Sequence, residues 1–180
     1  GGPFSGIYKT SDAGDSWKQL KNGLPEGVNG RCGLAVSRSK PNVVYAIVEN
    51  QDSGIFRSED KGESWTRMCD KKTYTKVNFR PFYYSKITVD PNNHLVVYAY
   101  SGRAYVSDDG GKTFTEIGAD LHADHHRIWV DPADSNHLID GNDGGIDISW
   151  DRGKNWYAVQ NAIWAEVYQL TVDMRVPYYV

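Results

Sequence analysis

SEDKGESW, Ser58 to Trp65, is one of four copies of the phrase Ser/Thr-x-Asp-x-Gly-x-x-Trp/Phe in this chain. The others are TSDAGDSW (Thr10 to Trp17), SDDGGKTF (Ser107 to Phe114) and SWDRGKNW (Ser149 to Trp156), and successive copies begin 48, 49 and 42 residues apart. That spacing is one four-stranded propeller blade, longer than a leucine-rich or ankyrin unit. Within each copy, Asp12, Asp60, Asp109 or Asp151 can accept turn N–H groups. Gly14, Gly62, Gly111 or Gly153 supplies the left-handed backbone that a tight turn requires. Trp17, Trp65, Phe114 or Trp156 then starts the next strand with a large apolar area to bury between sheets. A residue that every blade needs for its own turn is read as structural, so the four aspartates receive no catalytic role.

A second repeat runs out of phase with the first. VSRSKPNVVYA (Val36 to Ala46), VDPNNHLVVYA (Val89 to Ala99) and VDPADSNHLIDG (Val130 to Gly141) each read as a strand end, a Pro/Asn turn and a β-branched strand. These are the first two strands, A and B, of a blade. The third, C, follows as GIYKT, GIFRS, AYVS or GIDIS, and the phrase turns it into D. The expectation is an all-β propeller of antiparallel four-stranded blades. Three are whole (residues 32–68, 85–117 and 126–159) and two are half blades (1–25 and 165–180), read as cut edges of a larger ring whose remaining blades lie elsewhere in the protein or in another subunit.

The phrases resemble Asp-boxes, or BNR repeats. The longer strings NFRPFYYSKITVDP, HADHHRIWVDP, GNDGGIDISWDRGKNW and VYQLTVDMRVPYYV resemble the large bacterial sortilin-like BNR-repeat proteins, often labelled glycosyl hydrolases. The resemblance covers nearly the whole chain and implies an extracellular, periplasmic or cell-surface location. It does not extend to sialidases: Phe79-Arg80-Pro81-Phe82 lacks the Ile of their Phe-Arg-Ile-Pro string and follows the second box.

Net charge is −3, with Lys and Arg scattered rather than striped, which argues against nucleic acid as a partner. No apolar run approaches the roughly 20 residues of a membrane helix. Cys32 and Cys69 flank opposite edges of one blade, roughly 14 Å apart at about 4.7 Å per strand, so two free thiols are expected.

In an up-and-down blade the D-to-A and B-to-C loops share one side, opposite the A-to-B turns and the boxes. That side, the expected ligand face, receives Glu49 and Asn50, then Arg80, Phe82, Tyr83 and Tyr84. From the last whole blade it receives His122, Asp124, His125 and His126 with Asn142 and Asp143. His122, Asp124, His125 and Asp143 are expected within reach of one another, as a metal site or as a hydrogen-bonded cluster. The cluster is the chosen reading, with no metal or other cofactor. Exposed aromatics and an arginine suit a protein or glycan partner. The sequence therefore reads as a binding module of a larger secreted protein. The alternative is a glycoside hydrolase, for which Glu49, Asp124 and Asp143 are the candidate carboxylates.

Overall fold

The computed structural model describes residues 1–160 together with 171, 173, 175 and 176. The strands expected at 165–180 fall largely outside the described residues. A two-stranded sheet of β1 (Ile7–Lys9) and β2 (Lys18–Leu20) comes first, followed by β3 (Cys32–Val36), β4 (Val44–Val48), β5 (Gly54–Ser58) and β6 (Thr66–Arg67) in order. A short helix, α1 (Lys71–Val77), leads to β7 (Lys86–Val89), β8 (Val97–Tyr100), β9 (Ala104–Ser107) and β10 (Thr115–Ile117). The last sheet is β11 (His125–Val130), β12 (Leu138–Asn142), β13 (Gly145–Ser149) and β14 (Tyr157–Ala158). Each four-stranded sheet is an antiparallel meander.

The boxes close as the residue types demand. The hydroxyls of Thr10, Ser58, Ser107 and Ser149 accept from the amides of Gly14, Gly62, Gly111 and Gly153 at 2.7–2.9 Å. Each Asp accepts from the amide four residues on, at 2.9–3.0 Å. The residue before each box glycine also takes positive φ, at Ala13, Lys61, Gly110 and Arg152. In the three four-stranded sheets its amide bonds the A-to-B turn, at Asn42, Leu95 and Asn136, which puts boxes and A-to-B turns on one side.

Packing lies between sheets rather than within one centre. Ile7 and Leu20 meet Val48, Phe56 and Trp65; Tyr45, Ile47 and Ile55 meet Ile87, Val97 and Tyr105; Tyr98, Tyr100 and Ile117 meet Ile128, Val130 and Leu138. Alternating apolar positions therefore bury both faces of the middle sheets, and removing that area from water at about 25 cal/mol per Å² stacks the blades. Of the box aromatics, Trp65 and Phe114 are buried as expected. Trp17 is 60% exposed, because β1 and β2 have no sheet on their far side among the described residues.

The first strands approach one another, β3 beside β7 and β7 beside β11, and form the inner wall. At Gly33 a Cβ would stand 2.0 Å from the Ser85 carbonyl oxygen, so glycine permits the closest of these approaches. Thr88 Oγ1 donates to the Ile128 carbonyl at 3.2 Å and ties the next pair. Both thiols are free, Cys69 buried and Cys32 half-buried, and burial pushes each up in pKa.

Candidate functional site

On the side away from the boxes, three non-glycine residues with positive φ, Arg80, Ser85 and Asp124, surround Tyr84. The other three of that kind, Ala13, Lys61 and Arg152, belong to box turns. Among the described residues, non-glycine positive φ outside the boxes thus falls in this loop cluster, a concentration typical of sites where geometry is over-determined.

The loop is built on α1, which spacing alone does not reveal. Asp70 caps its start by accepting from the Thr73 amide at 2.7 Å, and Tyr74 and Val77, three residues apart, bury one face. Asn78 then bonds Tyr74 Oη at 2.9 Å and Ser85 Oγ at 3.0 Å, and accepts from the Ser85 amide. This pinned arch leaves Phe79, Phe82 and Tyr83 exposed and turns Tyr84 inward. Tyr84 is a correction to the expected ligand face: it is 2% exposed and plugs the structure. Burial first, and then its hydrogen bond to Asp124, push its hydroxyl well above the ordinary tyrosine range.

A bulge re-aims the two adjacent histidines. The register of β11 on β12 pairs His125 with Asn142 and Arg127 with Gly141, which leaves His126 unpaired. His125 turns inward, and its Nδ1 meets Asp140 Oδ2 at 2.7 Å. Asn142 Nδ2 donates to Asp140 at 2.9 Å and to Asp147 at 2.8 Å, completing a buried network in which Asp140 Oδ1 has no protein partner. His125 and Asn142 are therefore structural, not ligand-facing.

His126 takes the opposite course. Its Nδ1 stands 2.9 Å from Lys86 Nζ and its Nε2 2.7 Å from Asp143 Oδ1. An ammonium can only donate, so Nδ1 accepts and Nε2–H donates to the carboxylate; the chain of bonds fixes the tautomer. Burial first, then Arg31 and Arg127, lower the Lys86 pKa, while Asp143 opposes them. Lys86 also lies over the Tyr84 ring at 5.5 Å, and Tyr83 meets His126 edge-on at 6.2 Å.

The expected convergence of His122, Asp124, His125 and Asp143 is thus replaced by separate partnerships. His122 Nδ1 bonds the adjacent Ala123 carbonyl at 2.9 Å and its Cβ crowds Gly144. Asp124 holds Tyr84, His125 holds Asp140, and Asp143 holds His126. Among the described residues no three His, Cys, Asp or Glu side chains are arranged to hold a metal ion. Glu49 Oε2 accepts from the Arg31 amide at 2.8 Å, and Asn50 Nδ2 donates to Glu26 O, Val28 O and Asn29 Oδ1, so both residues fasten the loop before β3. Lys86 was missed because its place four residues before Asp90 looks like ordinary strand; its match, Arg127 four before Asp131, is the signal that finds it.

Radially stacked antiparallel meanders with Asp-box turns on one side and a polar, aromatic rim on the other define a β-propeller of the Asp-box class. The sequence profile of the family described as Sortilin-Vps10 (sortilin, neurotensin receptor 3) matches residues 53–173. The chain belongs to this family. A xyloglucanase, Xgh74A of Acetivibrio thermocellus, is 29% identical over 138 residues, 75% of this chain and 15% of that protein. A xyloglucanase of a Paenibacillus species is 29% identical over 104 residues, 55% of this chain and 10% of that protein. The GH74 enzyme of Niastella koreensis superposes with a TM-score of 0.67 at 19% identity, over 87% of this chain and 27% of its own. The chain thus spans well under a third of these proteins, and the structural likeness bears on the fold. No helix among the described residues is long and apolar enough to cross a membrane.

Proposed function

We propose that this chain forms part of the glycan-binding face of an extracellular glycoside hydrolase acting on a polysaccharide, with xyloglucan the first substrate to try. The observation that carries the reading is Asp143: a carboxylate with 51% of its side chain exposed, bonded through one oxygen to His126, whose ring meets the exposed ring of Tyr83 edge-on. Glycosidic cleavage uses a positioned carboxyl group, and pyranose faces stack on aromatic rings. Asp124 and Glu49 each spend oxygens on fastening loops, which leaves Asp143 as the carboxylate suited to proton transfer. The likeness to two xyloglucanases favours hydrolysis over a pure binding module. The exposed Phe79, Phe82 and Tyr83 also suit a second reading, in which the same face only holds a glycan or protein.

The chemistry follows from the hydrogen-bond order. Nε2–H of His126 holds Asp143 in place, so that its carboxylate can accept a proton from an attacking water while a second carboxyl group, outside the described residues, protonates the leaving glycosidic oxygen. Asp143→Asn in the full-length protein is expected to lower xyloglucan hydrolysis by about 10²- to 10⁴-fold with an unchanged melting temperature and retained polysaccharide binding. Undiminished turnover by that variant would remove Asp143 from the reaction.

A further inference from the structure

Two arginines, Arg31 and Arg127, stand within electrostatic reach of Lys86, which also feels Asp143, and their placement says something about the sugar. Arg31 immediately precedes β3, Lys86 opens β7, and Arg127 lies in β11 at the position that matches Lys86. The Gly33–Ser85 approach holds β3 against β7, and the Thr88–Ile128 hydrogen bond holds β7 against β11, so the three strand starts are fixed side by side. Elsewhere Arg57 is ion-paired with Glu59, Arg67 with Asp52, Arg103 with Glu116 and Arg152 with Asp108, while Arg80 lies over the Phe79 ring and Arg38, like Arg31 and Arg127, carries no ion pair among the described residues. Among the described residues the guanidiniums of Arg31 and Arg127 have no ion pair or hydrogen bond, both residues are exposed, and Lys86 spends one of three N–H groups on His126.

The nearby carboxylates offset only part of this charge. Asp143 is turned to His126, Asp124 to Tyr84, and Glu49 to the Arg31 backbone amide rather than its guanidinium. Mutual repulsion among three cations is tolerated where an anion visits, and a planar carboxylate matches the guanidinium fork.

Resting on the glycan reading above, we infer that Arg31, Lys86 and Arg127 form a subsite for the carboxylate of a uronic-acid residue, so that this face prefers an acidic polysaccharide over a neutral one such as xyloglucan. The aromatic rim at Tyr83 and Phe82 supplies the ring-stacking surface that an acidic sugar needs beside its charge contacts.

Calorimetric titration of the full-length protein with oligogalacturonate, a neutral xyloglucan oligosaccharide and poly-glutamate tests this. Oligogalacturonate is expected to bind more tightly than the neutral oligosaccharide. Arg31→Gln and Arg127→Gln should each weaken oligogalacturonate about tenfold and leave the neutral ligand unchanged, and added salt should weaken only the charged ligand. Both arginines are exposed, and melting temperatures verify that the variants fold. Equal affinity for both oligosaccharides, or equal losses in the variants, overturns the acidic subsite and leaves the glycan reading standing. Binding of poly-glutamate with neither oligosaccharide overturns both and assigns the cations to an acidic peptide.

Discussion

At Ser58 a single hydroxyl closes a turn: it accepts from Gly62 at 2.7 Å and donates to Asp60 at 2.7 Å, and the residue is 1% exposed. Ser58→Ala leaves the Gly62 amide buried and unpaired, which costs about 1–3 kcal/mol and is read as a lower urea midpoint with no change in ligand affinity. The box aspartates add a pH dependence whose sign follows from their partners. The Ser64 side chain holds Asp60 at about 2 and the Asn155 side chain holds Asp151 at about 2. An unfolded aspartate titrates near about 3.9, so the unfolded chain takes up protons first. The boxes' contribution is whole above that value and is lost as pH falls toward about 2, visible as a melting temperature that declines in that window. The paired histidines separate stability from function. His125→Ala strips a partner from the fully buried Asp140 and should cost about 1–3 kcal/mol, whereas His126→Ala should spare the melt and impair turnover.

Elements differ in how plainly the sequence announces them. Boxes and A-to-B turns are legible because a turn is satisfied by its own side chains, so Asp60 and Gly62 mean the same thing wherever the phrase occurs. Meander order likewise assigns loops to sides, and so assigns the loop of Arg80, Phe82 and Tyr83 to the side away from the boxes. What was not legible depends on register and tertiary contact. One unpaired residue in β11 decides that His125 points in and His126 out, and no composition marks it. Helix α1, seven residues long, is too short to be announced by periodicity and is held by packing of Tyr74 and Val77 on the neighbouring sheets. The closest inter-blade contact offers a test at this scale. In Gly33→Val the added side chain meets Ser85 backbone, which cannot step aside as a flexible side chain would. Loss of soluble folded protein, or a melting temperature several degrees lower, is expected, together with weakened ligand binding as Lys86 shifts. A fully stable Gly33→Val protein would refute the contact.

For the molecule as a whole, stacking leaves two outward faces on the described arc. At one end Leu34 and Val36 of β3 lie 52% and 59% exposed beside Tyr8, because β1 and β2 cover only the outer part of that sheet. At the other, Trp129, Trp150 and Tyr157 form an exposed aromatic strip through His137, whose ring stacks on Trp150 at 5.8 Å. Apolar faces of this kind, together with the edge of β1 that has no partner strand among the described residues, favour association with another sheet over exposure to water. Expressed by themselves, these 180 residues are therefore expected to sediment as a mixture of multimers. A Leu34→Lys, Val36→Lys double variant should shift that distribution toward monomer without lowering the melting temperature, since both side chains lie on the sheet's exposed face. Asp143→Asn, on the rim away from the boxes, should leave the distribution where it is. A chain that is already monomeric before substitution would show that the two ends are covered in solution, and the double variant would then destabilise it instead.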